Sequence, residues 1–245
     1  MATRYRHEAL QLAMGSDQGK IVVTGRYVQI GQFGFKDISV TVDLAVAGAG
    51  GIEAGSSFAV STWYRIYLIT DGTGSQISGV ISTGAAAPTT YPTGYTDCIY
   101  VGSANTNTST PTRQFYRFIN AAGSNWFWWN EDITASPFRV LSVTTSAGAV
   151  WTDVVCSAVV PATSRMIRAY ANIVDAASGY MRARNKDLVN NHATAGSVVC
   201  MTQVANVQGY SQFFVGVDSA GTFQYSTNAN TVDVYVDVSG YEDIR

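Results

Sequence analysis

Hydrophobic and polar residues alternate along several short stretches of this chain. Between Asp37 and Val46, apolar side chains occupy every second position, and mostly polar residues lie between them. The stretch from Thr231 to Val238 repeats the pattern with four valines on one face. Because successive side chains of a β-strand point to opposite faces, this period of two predicts half-buried strands.

The stretch from Trp63 to Val101 predicts three neighbouring strands. It opens with the aromatic and branched run Trp63–Ile69, which the turn residues Asp71–Gly74 interrupt. Alternation resumes over Gln76–Ser82, and a polar segment with two prolines then precedes the strand-like run Cys98–Val101. These signals favour a hairpin and a third strand, connected by a stiff loop.

The whole chain reads as a dozen or more short strands punctuated by Gly, Asn and Pro. We therefore predict an all-β fold, an antiparallel β-sandwich or jelly-roll-like fold in two β modules. A parallel α/β fold is excluded because the sequence offers no crossover helices to cover both faces of a sheet. The polar segment Tyr180–His192 is the best candidate for a short helix, and Asp218–Gly221 predicts a compact hairpin turn.

Three regions are expected along the chain. Residues 1–19 form an N-terminal arm of mixed polarity, a candidate to clamp a neighbouring subunit. Residues 20–122 form a first β-sandwich module, and residues 123–245 form a second, jelly-roll-like module. The small residues Ala121–Ser124 are the best candidate for the junction between them.

The composition favours a protein that packs against other protein subunits. Charged residues make up 13% of the 245 residues and hydrophobic residues 47%, whereas the usual charged share is roughly 25%. A net charge of −2 provides no basic excess for nucleic acid or anionic lipid, so neither partner is expected. Membrane insertion is not expected either, because no apolar run approaches the roughly 20 residues that a spanning helix needs.

Residues with catalytic or metal-binding chemistry are few and scattered. The two histidines, His7 and His192, lie in polar segments, and the sequence contains no nucleophile elbow, paired zinc-ligand motif or phosphate-binding loop. Three cysteines at wide spacing, each in an apolar run, predict buried free thiols. We therefore expect no enzyme activity, no cofactor and no metal site.

Aromatic residues are the strongest candidates for a binding role. If Trp126–Trp129 is a strand, Trp126 and Trp128 share one face, and the other face holds Phe127 and Trp129. Paired rings of this kind serve as a platform for a glycan, as core filling or as a subunit interface, and all three readings stay open. Tyr91 and Tyr95, in the proline-containing loop, are further candidates for glycan or interface contacts.

The segment from Ile52 to Ile119 resembles a module found in virion proteins of tailed bacteriophages. In that module an aromatic strand precedes a glycine turn, a strand ending in Ser-Thr, a proline-containing loop that closes on Gly-Tyr, and a strand that closes on Gly-Ser. The matching positions are Trp63–Ile69, Ser82, Thr83, Pro88, Pro92, Gly94, Tyr95, Gly102 and Ser103.

The resemblance implies a structural protein of a phage particle, made in the host cytoplasm and located in the virion. Capsid decoration proteins and head or tail fibres are the expected classes, with other virion proteins as partners and a homo-oligomer, most often a trimer. The absence of a long repetitive shaft favours a compact capsid or tail accessory. The alternative is a receptor-binding protein at a fibre or spike tip, where the aromatic residues would contact a host surface glycan.

Overall fold

The computed structural model describes residues 7–108, 113–144, 148–187, 197–229 and 231–244. Within these ranges all regular secondary structure is β, and the strands pair almost entirely antiparallel, so the predicted all-β, sandwich-like fold class is confirmed. The chain divides into two compact units, residues 1–131 and 132–244.

The first unit is built on one large sheet. Its strands are β1 (His7–Glu8), β2 (Gln11–Met14), β3 (Lys20–Ile30), β4 (Phe33–Ala47), β5 (Gly51–Ile52), β6 (Trp63–Asp71), β7 (Ile77–Ser82), β8 (Tyr95–Asn105), β9 (Phe118–Asn120) and β10 (Trp126–Trp129). The sheet order is β1-β3-β4-β5-β7-β6-β8, and β2 also pairs with β3. Strands β9 and β10 form an antiparallel hairpin.

The alternation predicted for Asp37–Val46 is confirmed in β4. Ile38, Val40, Val42 and Leu44 are buried, whereas the side chains between them are exposed or half-buried. Val46 departs from the pattern and is exposed at the end of the strand. In β3 the period of two holds in each half of the strand, with Ile21 and Val23 buried in the first half and Val28 and Ile30 in the second, and its phase shifts between Val23 and Val28.

The predicted hairpin and third strand are also confirmed. Strand β6 pairs antiparallel with β7 on one side and with β8 on the other. The Asp71 carboxylate organises the β6–β7 turn: Oδ1 accepts from the Ser75 amide at 2.9 Å, and Oδ2 accepts from the hydroxyls of Ser75 and Thr73. These hydrogen bonds, led by that from Ser75, lower the pKa of Asp71 to about 2.

Replacing Asp71 with asparagine is expected to alter the acid sensitivity of the fold. A carboxyl group whose pKa is lower in the folded state stabilises the fold above its unfolded pKa, near 4, and this contribution is lost as the pH falls towards about 2. The difference in thermal midpoint between the wild type and Asp71→Asn should therefore narrow from pH ~5 to pH ~2. A constant difference over that range would contradict this role for the carboxylate.

The N-terminal segment is part of the first unit's own sheet from His7 onwards. Strands β1 and β2 pair with β3, and Leu10 and Leu12 are fully buried. The described part of the predicted arm, residues 7–19, therefore lies within the fold and does not project from it. Residues 1–6 lie outside the described ranges.

The boundary between the units falls after Glu131, beyond the expected junction at residues 122 and 123. The β9–β10 hairpin belongs to the first unit because its aromatic side chains pack there. The Trp129 ring lies 6.0 Å from that of Trp63 and 6.2 Å from that of Tyr116, measured between centroids. Small residues at Ala121–Ser124 form the turn of this hairpin and not a linker between modules.

The second unit contains two sheets. Its strands are β11 (Arg139–Val143), β12 (Thr152–Val155), β13 (Ser164–Val174), β14 (Gly179–Asn185), β15 (Ser197–Thr202), β16 (Gly209–Gly216), β17 (Thr222–Thr227) and β18 (Asp233–Asp243). In one sheet β13 lies between β16 and β18, and β18 also pairs with β11. The other sheet has the order β12-β17-β14-β15. Edge-to-face contact of Phe213 with Phe223, at 6.2 Å, joins the two inner faces.

The helix expected over Tyr180–His192 is wrong for its described part, because β14 covers Gly179–Asn185. Gly179, Met181 and Ala183 are buried, and the intervening Tyr180, Arg182 and Arg184 are half-buried. The two arginines on the outer positions made a strand with period two look like a polar helix. His192 lies outside the described residues.

The Asp218–Gly221 turn does not form the hairpin that its sequence predicts. It joins β16 to β17, which belong to different sheets, so the chain passes from one layer of the sandwich to the other. Asp218 Oδ1 accepts from the amides of Ala220 and Thr222, and Gly221 takes a φ of +70°. Such turn chemistry specifies a chain reversal, but it does not specify which strands pair.

The cysteines are free, as predicted, with Cys156 and Cys200 buried and Cys98 half-buried. Burial raises the pKa of Cys156 to about 12 and that of Cys200 to about 11. Because the thiolate is the reactive form, Ellman's reagent at pH ~8 should leave both unmodified in the folded protein and should modify them in denaturant. Rapid modification of either thiol without denaturant would contradict the buried positions.

Candidate interaction surfaces

The tryptophan pair has the arrangement that the sequence predicts. Trp126 and Trp128 share one face of β10, half-buried, and their rings stack with centroids 5.3 Å apart and planes 14° from parallel. Phe127 and Trp129 are buried on the opposite face. Ile119, the register partner of Trp128 on β9, is 56% exposed on the same side as the pair.

This group of Trp126, Trp128 and Ile119 is suited to apolar contact. Because the two indole rings already stack on each other, each ring offers at most one face to a ligand. A sugar ring or an apolar side chain of another protein fits such a surface. The group therefore stays a candidate for both contacts.

Tyr91 and Tyr95 lie around a different cluster. The loop 83–94 folds back onto β6, β7 and β8, and both tyrosines pack, half-buried, against Tyr67, Ile69 and Val80. The Tyr91 hydroxyl donates a hydrogen bond to Cys98 Sγ at 3.1 Å. Their first role is thus to attach the loop to the sheet, and the structure does not gather them with the tryptophan pair into one contact group.

A buried carboxylate that the sequence reasoning did not single out holds this loop. Glu53 is 2% exposed; its Oε2 accepts from the Ser82 hydroxyl, and its Oε1 accepts from the Thr90 amide. The Ser82 Oγ also accepts from the Gly84 amide at 2.9 Å. The signal in the sequence is a single acidic residue inside the small, glycine-rich segment 47–55.

The second unit has a polar cleft of about 550 Å³ lined by Arg165, Asn185, Asp187 and Asp218, among others. Asp218 already caps the turn that follows β16. Over the described ranges, no group of three or more His, Cys, Asp or Glu side chains lies close enough together to hold a metal ion. The same part of the chain contains no helix with the length and apolar character needed to cross a membrane.

The outer surface of β13 and β16 is rich in large apolar side chains, and we call it the apolar face. It comprises Met166 and Tyr170 on β13 and Tyr210 and Phe214 on β16. Tyr210 is 69% exposed and Phe214 is 52% exposed. Arg168 lies among them and donates to the Tyr170 hydroxyl and to Gln212 Oε1.

Charged side chains lie on the outer face of the other sheet and also at β11 and β18, where Arg139 pairs with Asp237. Arg182 lies over the ring of Tyr180 and Arg184 over that of Trp151, at 4.8 and 4.2 Å from the centroids. Lys186 pairs with Asp153 at 2.5 Å. In contrast, the sequence from 188 to 217, which includes β16, contains no Lys, Arg, Asp or Glu. The outer surface of β13 and β16 is therefore poorer in charge than the outer face of the other sheet, and Arg168 lies on it.

Sequence reasoning missed the apolar face because β16 contains two adjacent phenylalanines. Phe213 is buried between the sheets, whereas Phe214 points outward. Both faces of the strand could have been read from every second residue. Phe213 and Val215 face the core, and Tyr210, Gln212 and Phe214 face outward.

This chain matches no family model and no curated protein.

Proposed function

We propose that this chain is a non-enzymatic structural component of a tailed-phage virion, which attaches to the capsid or tail surface through protein–protein contacts. The observation that carries the assembly role is the apolar face of β13 and β16, with Tyr210 69% exposed. The phage context comes from the sequence resemblance over residues 52–119, and it implies other virion proteins as partners.

The physical argument is one of desolvation. Exposed apolar area in a folded protein marks a surface that another molecule covers, and aromatic side chains and Met are enriched at such interfaces. Apart from Arg168, whose guanidinium donates to Tyr170 and Gln212, burying this surface does not require removing water from ions, so the contact gains most of the hydrophobic free energy. In a symmetric lattice, many modest contacts of this kind add up to firm attachment.

Electron microscopy of phage particles tests this proposal. Antibodies against the purified chain, coupled to gold, should label particles from the producing lysate at regular positions on the capsid or tail. A Phe214→Glu variant should be lost from the particles, whereas Ala177→Glu, which adds the same charge at an exposed turn, should be retained. Unlabelled particles, or a purified chain that turns over a substrate, would overturn the proposal.

A second candidate, receptor binding through a host glycan, is favoured by the stacked pair Trp126 and Trp128 beside exposed Ile119. Titration with host polysaccharide should then change the tryptophan fluorescence of the wild type and not that of Trp128→Ala. The Tyr91→Phe variant serves as a control that keeps the tryptophan pair. Fluorescence that does not respond to polysaccharide would remove this candidate.

A further inference from the structure

Strand β16 is a long, regular strand at the edge of its sheet. It has eight residues, and its register with β13 is unbroken from Gly209 to Gly216. Among the described strands it pairs with β13 alone, so the N–H and C=O groups of alternate residues point away from the sheet. Such an edge is a template for pairing with another strand.

The other edges of this unit carry the features that prevent such pairing. Strand β12 is four residues long and presents Asp153, and β11 contains Arg139 and an irregular register with β18. The register of β15 with β14 is also irregular. Strand β16 has neither a charged side chain, nor a proline, nor an irregular register. Among the described strands of the second unit, β16 is thus the edge strand that lacks these features.

We propose that β16 pairs edge to edge with β16 of a second copy of this chain, antiparallel about a two-fold axis, so that the two sheets become one continuous sheet. The proposed pairing rests on the proposed function, which is assembly through protein contacts. In this pairing, the first partner of the chain is a second copy of itself. The pairing replaces the trimer implied by the resemblance with a dimer as the basic contact.

The side chains of β16 are complementary to themselves in this arrangement. In an antiparallel pair, residues directly opposite each other point to the same face. With the register centred on Gln212, Tyr210 lies beside Phe214 of the partner subunit, and the two Gln212 amides face each other. Aromatic pairs stabilise such ladders, and an amide supplies both a donor and an acceptor. A charged side chain on β16 would meet a like or unpaired charge here, and β16 has none; the guanidinium of Arg168 on β13 donates to Gln212 and Tyr170 of its own chain.

In a continuous sheet the contact consists of the main chain of β16 and its outward side chains Tyr210, Gln212 and Phe214, whereas Met166 and Tyr170 on β13 stay on the open outer face.

Sedimentation velocity and light scattering of the purified full chain test the pairing. The wild type should have the mass of a dimer. Phe214→Lys and Tyr210→Glu should each raise the dissociation constant by at least about 100-fold, because each places an unpaired charge in the contact, and the ammonium group introduced at position 214 lies beside Arg168, its register partner on β13. Ala177→Lys, at an exposed turn, should leave the dimer unchanged. Thermal unfolding of each variant checks that the fold is kept.

The double variant Tyr210→Glu with Phe214→Lys is specific to the proposed register. In the two-fold contact it places the introduced carboxylate of each copy beside the introduced ammonium group of the other, so two ion pairs form and the chain should dimerise again. Folded single variants that are monomeric, with no recovery in the double variant, would overturn the register, and a monomeric wild type would overturn the pairing. A trimer would overturn the two-fold contact while leaving the virion role standing. A dimer that never labels phage particles would count against the virion role alone.

Discussion

Replacing Asn120 with alanine should lower the free energy of unfolding of the first unit by about 3 kcal/mol or more. Asn120 is 2% exposed, and its side chain makes three hydrogen bonds to main-chain groups. Oδ1 accepts from the Leu12 amide at 3.0 Å, and Nδ2 donates to the carbonyls of Ser124 and Trp126, each at 2.8 Å. The side chain thus fixes β2 against the β9–β10 hairpin.

The loss is large because alanine leaves these groups without their partner. Each buried polar group left unsatisfied costs about 1–3 kcal/mol, and the Leu12 amide belongs to a fully buried residue. Urea unfolding followed by tryptophan fluorescence measures the change. The matched control is Asn125→Ala, an exposed asparagine in the same hairpin turn, which should change stability by less than about 0.5 kcal/mol.

An Asn120→Asp variant separates the acceptor from the donors. Aspartate keeps an oxygen for the Leu12 amide, but it places the other oxygen against two carbonyls that need a donor. Protonation restores one donor, so this variant should gain stability relative to the wild type as the pH falls. Equal stability of Asn120→Ala and the wild type, or an Asp variant without this pH dependence, would contradict the role given to Asn120.

Strand identity could be predicted wherever the alternation was clean and the turn chemistry local. Strand β4 follows directly from apolar side chains at every second position, and the β6–β7–β8 group follows from its aromatic and branched runs and from the Asp71 turn. The same rule placed Trp126 and Trp128 on one face, because side-chain direction along a strand depends only on the count of residues. These features need no knowledge of which strands are neighbours.

Features that depend on distant pairing could not be predicted in this way. The Asp218 turn specifies a reversal, but only packing such as that of Phe213 on Phe223 decides that the chain changes sheets there. Residues 121–124 have the composition of a linker, yet Asn120 and Trp129 fix their hairpin to the first unit. Long-range contacts also made Tyr91 a packing residue, although its loop reads as a polar connection.

The interaction surface on β16 could not be predicted from the sequence for a similar reason. An uncharged stretch in the sequence indicates that a strand avoids ions, but it does not tell whether the strand lies in the centre of a sheet or at its edge. Topology makes β16 an edge strand, and only then does the lack of charge become evidence for a partner. The interaction surface therefore emerges from the combination of composition, which is local, with strand order, which is not.

Replacing Glu53 with alanine should release the far part of the loop 83–94 and lower the free energy of unfolding by about 2–4 kcal/mol. The Ser82 hydroxyl and the Thr90 amide would both lose their acceptor. The near part of the loop keeps other contacts, because the Gly84 carbonyl accepts from Arg65 Nη1 at 2.7 Å and from the Tyr67 hydroxyl at 3.0 Å. The loop should therefore become more mobile near Thr90 than near Gly84.

Hydrogen exchange and limited proteolysis measure how far each part of the loop 83–94 is released in Glu53→Ala. Amide exchange should rise strongly over residues 89–95 and much less over 83–86, and chymotrypsin should gain access to the bond after Tyr95, since the bond after Tyr91 precedes Pro92 and is not cleaved. Glu53→Gln, which keeps an acceptor for the Thr90 amide, should show a smaller loss, and Glu8→Ala, at an exposed position of β1, should show none. Uniform exchange along the loop in Glu53→Ala would mean that Gly84 and Thr90 are not held independently. Unchanged exchange would mean that the packing of Tyr91 and Tyr95 holds the loop without the carboxylate.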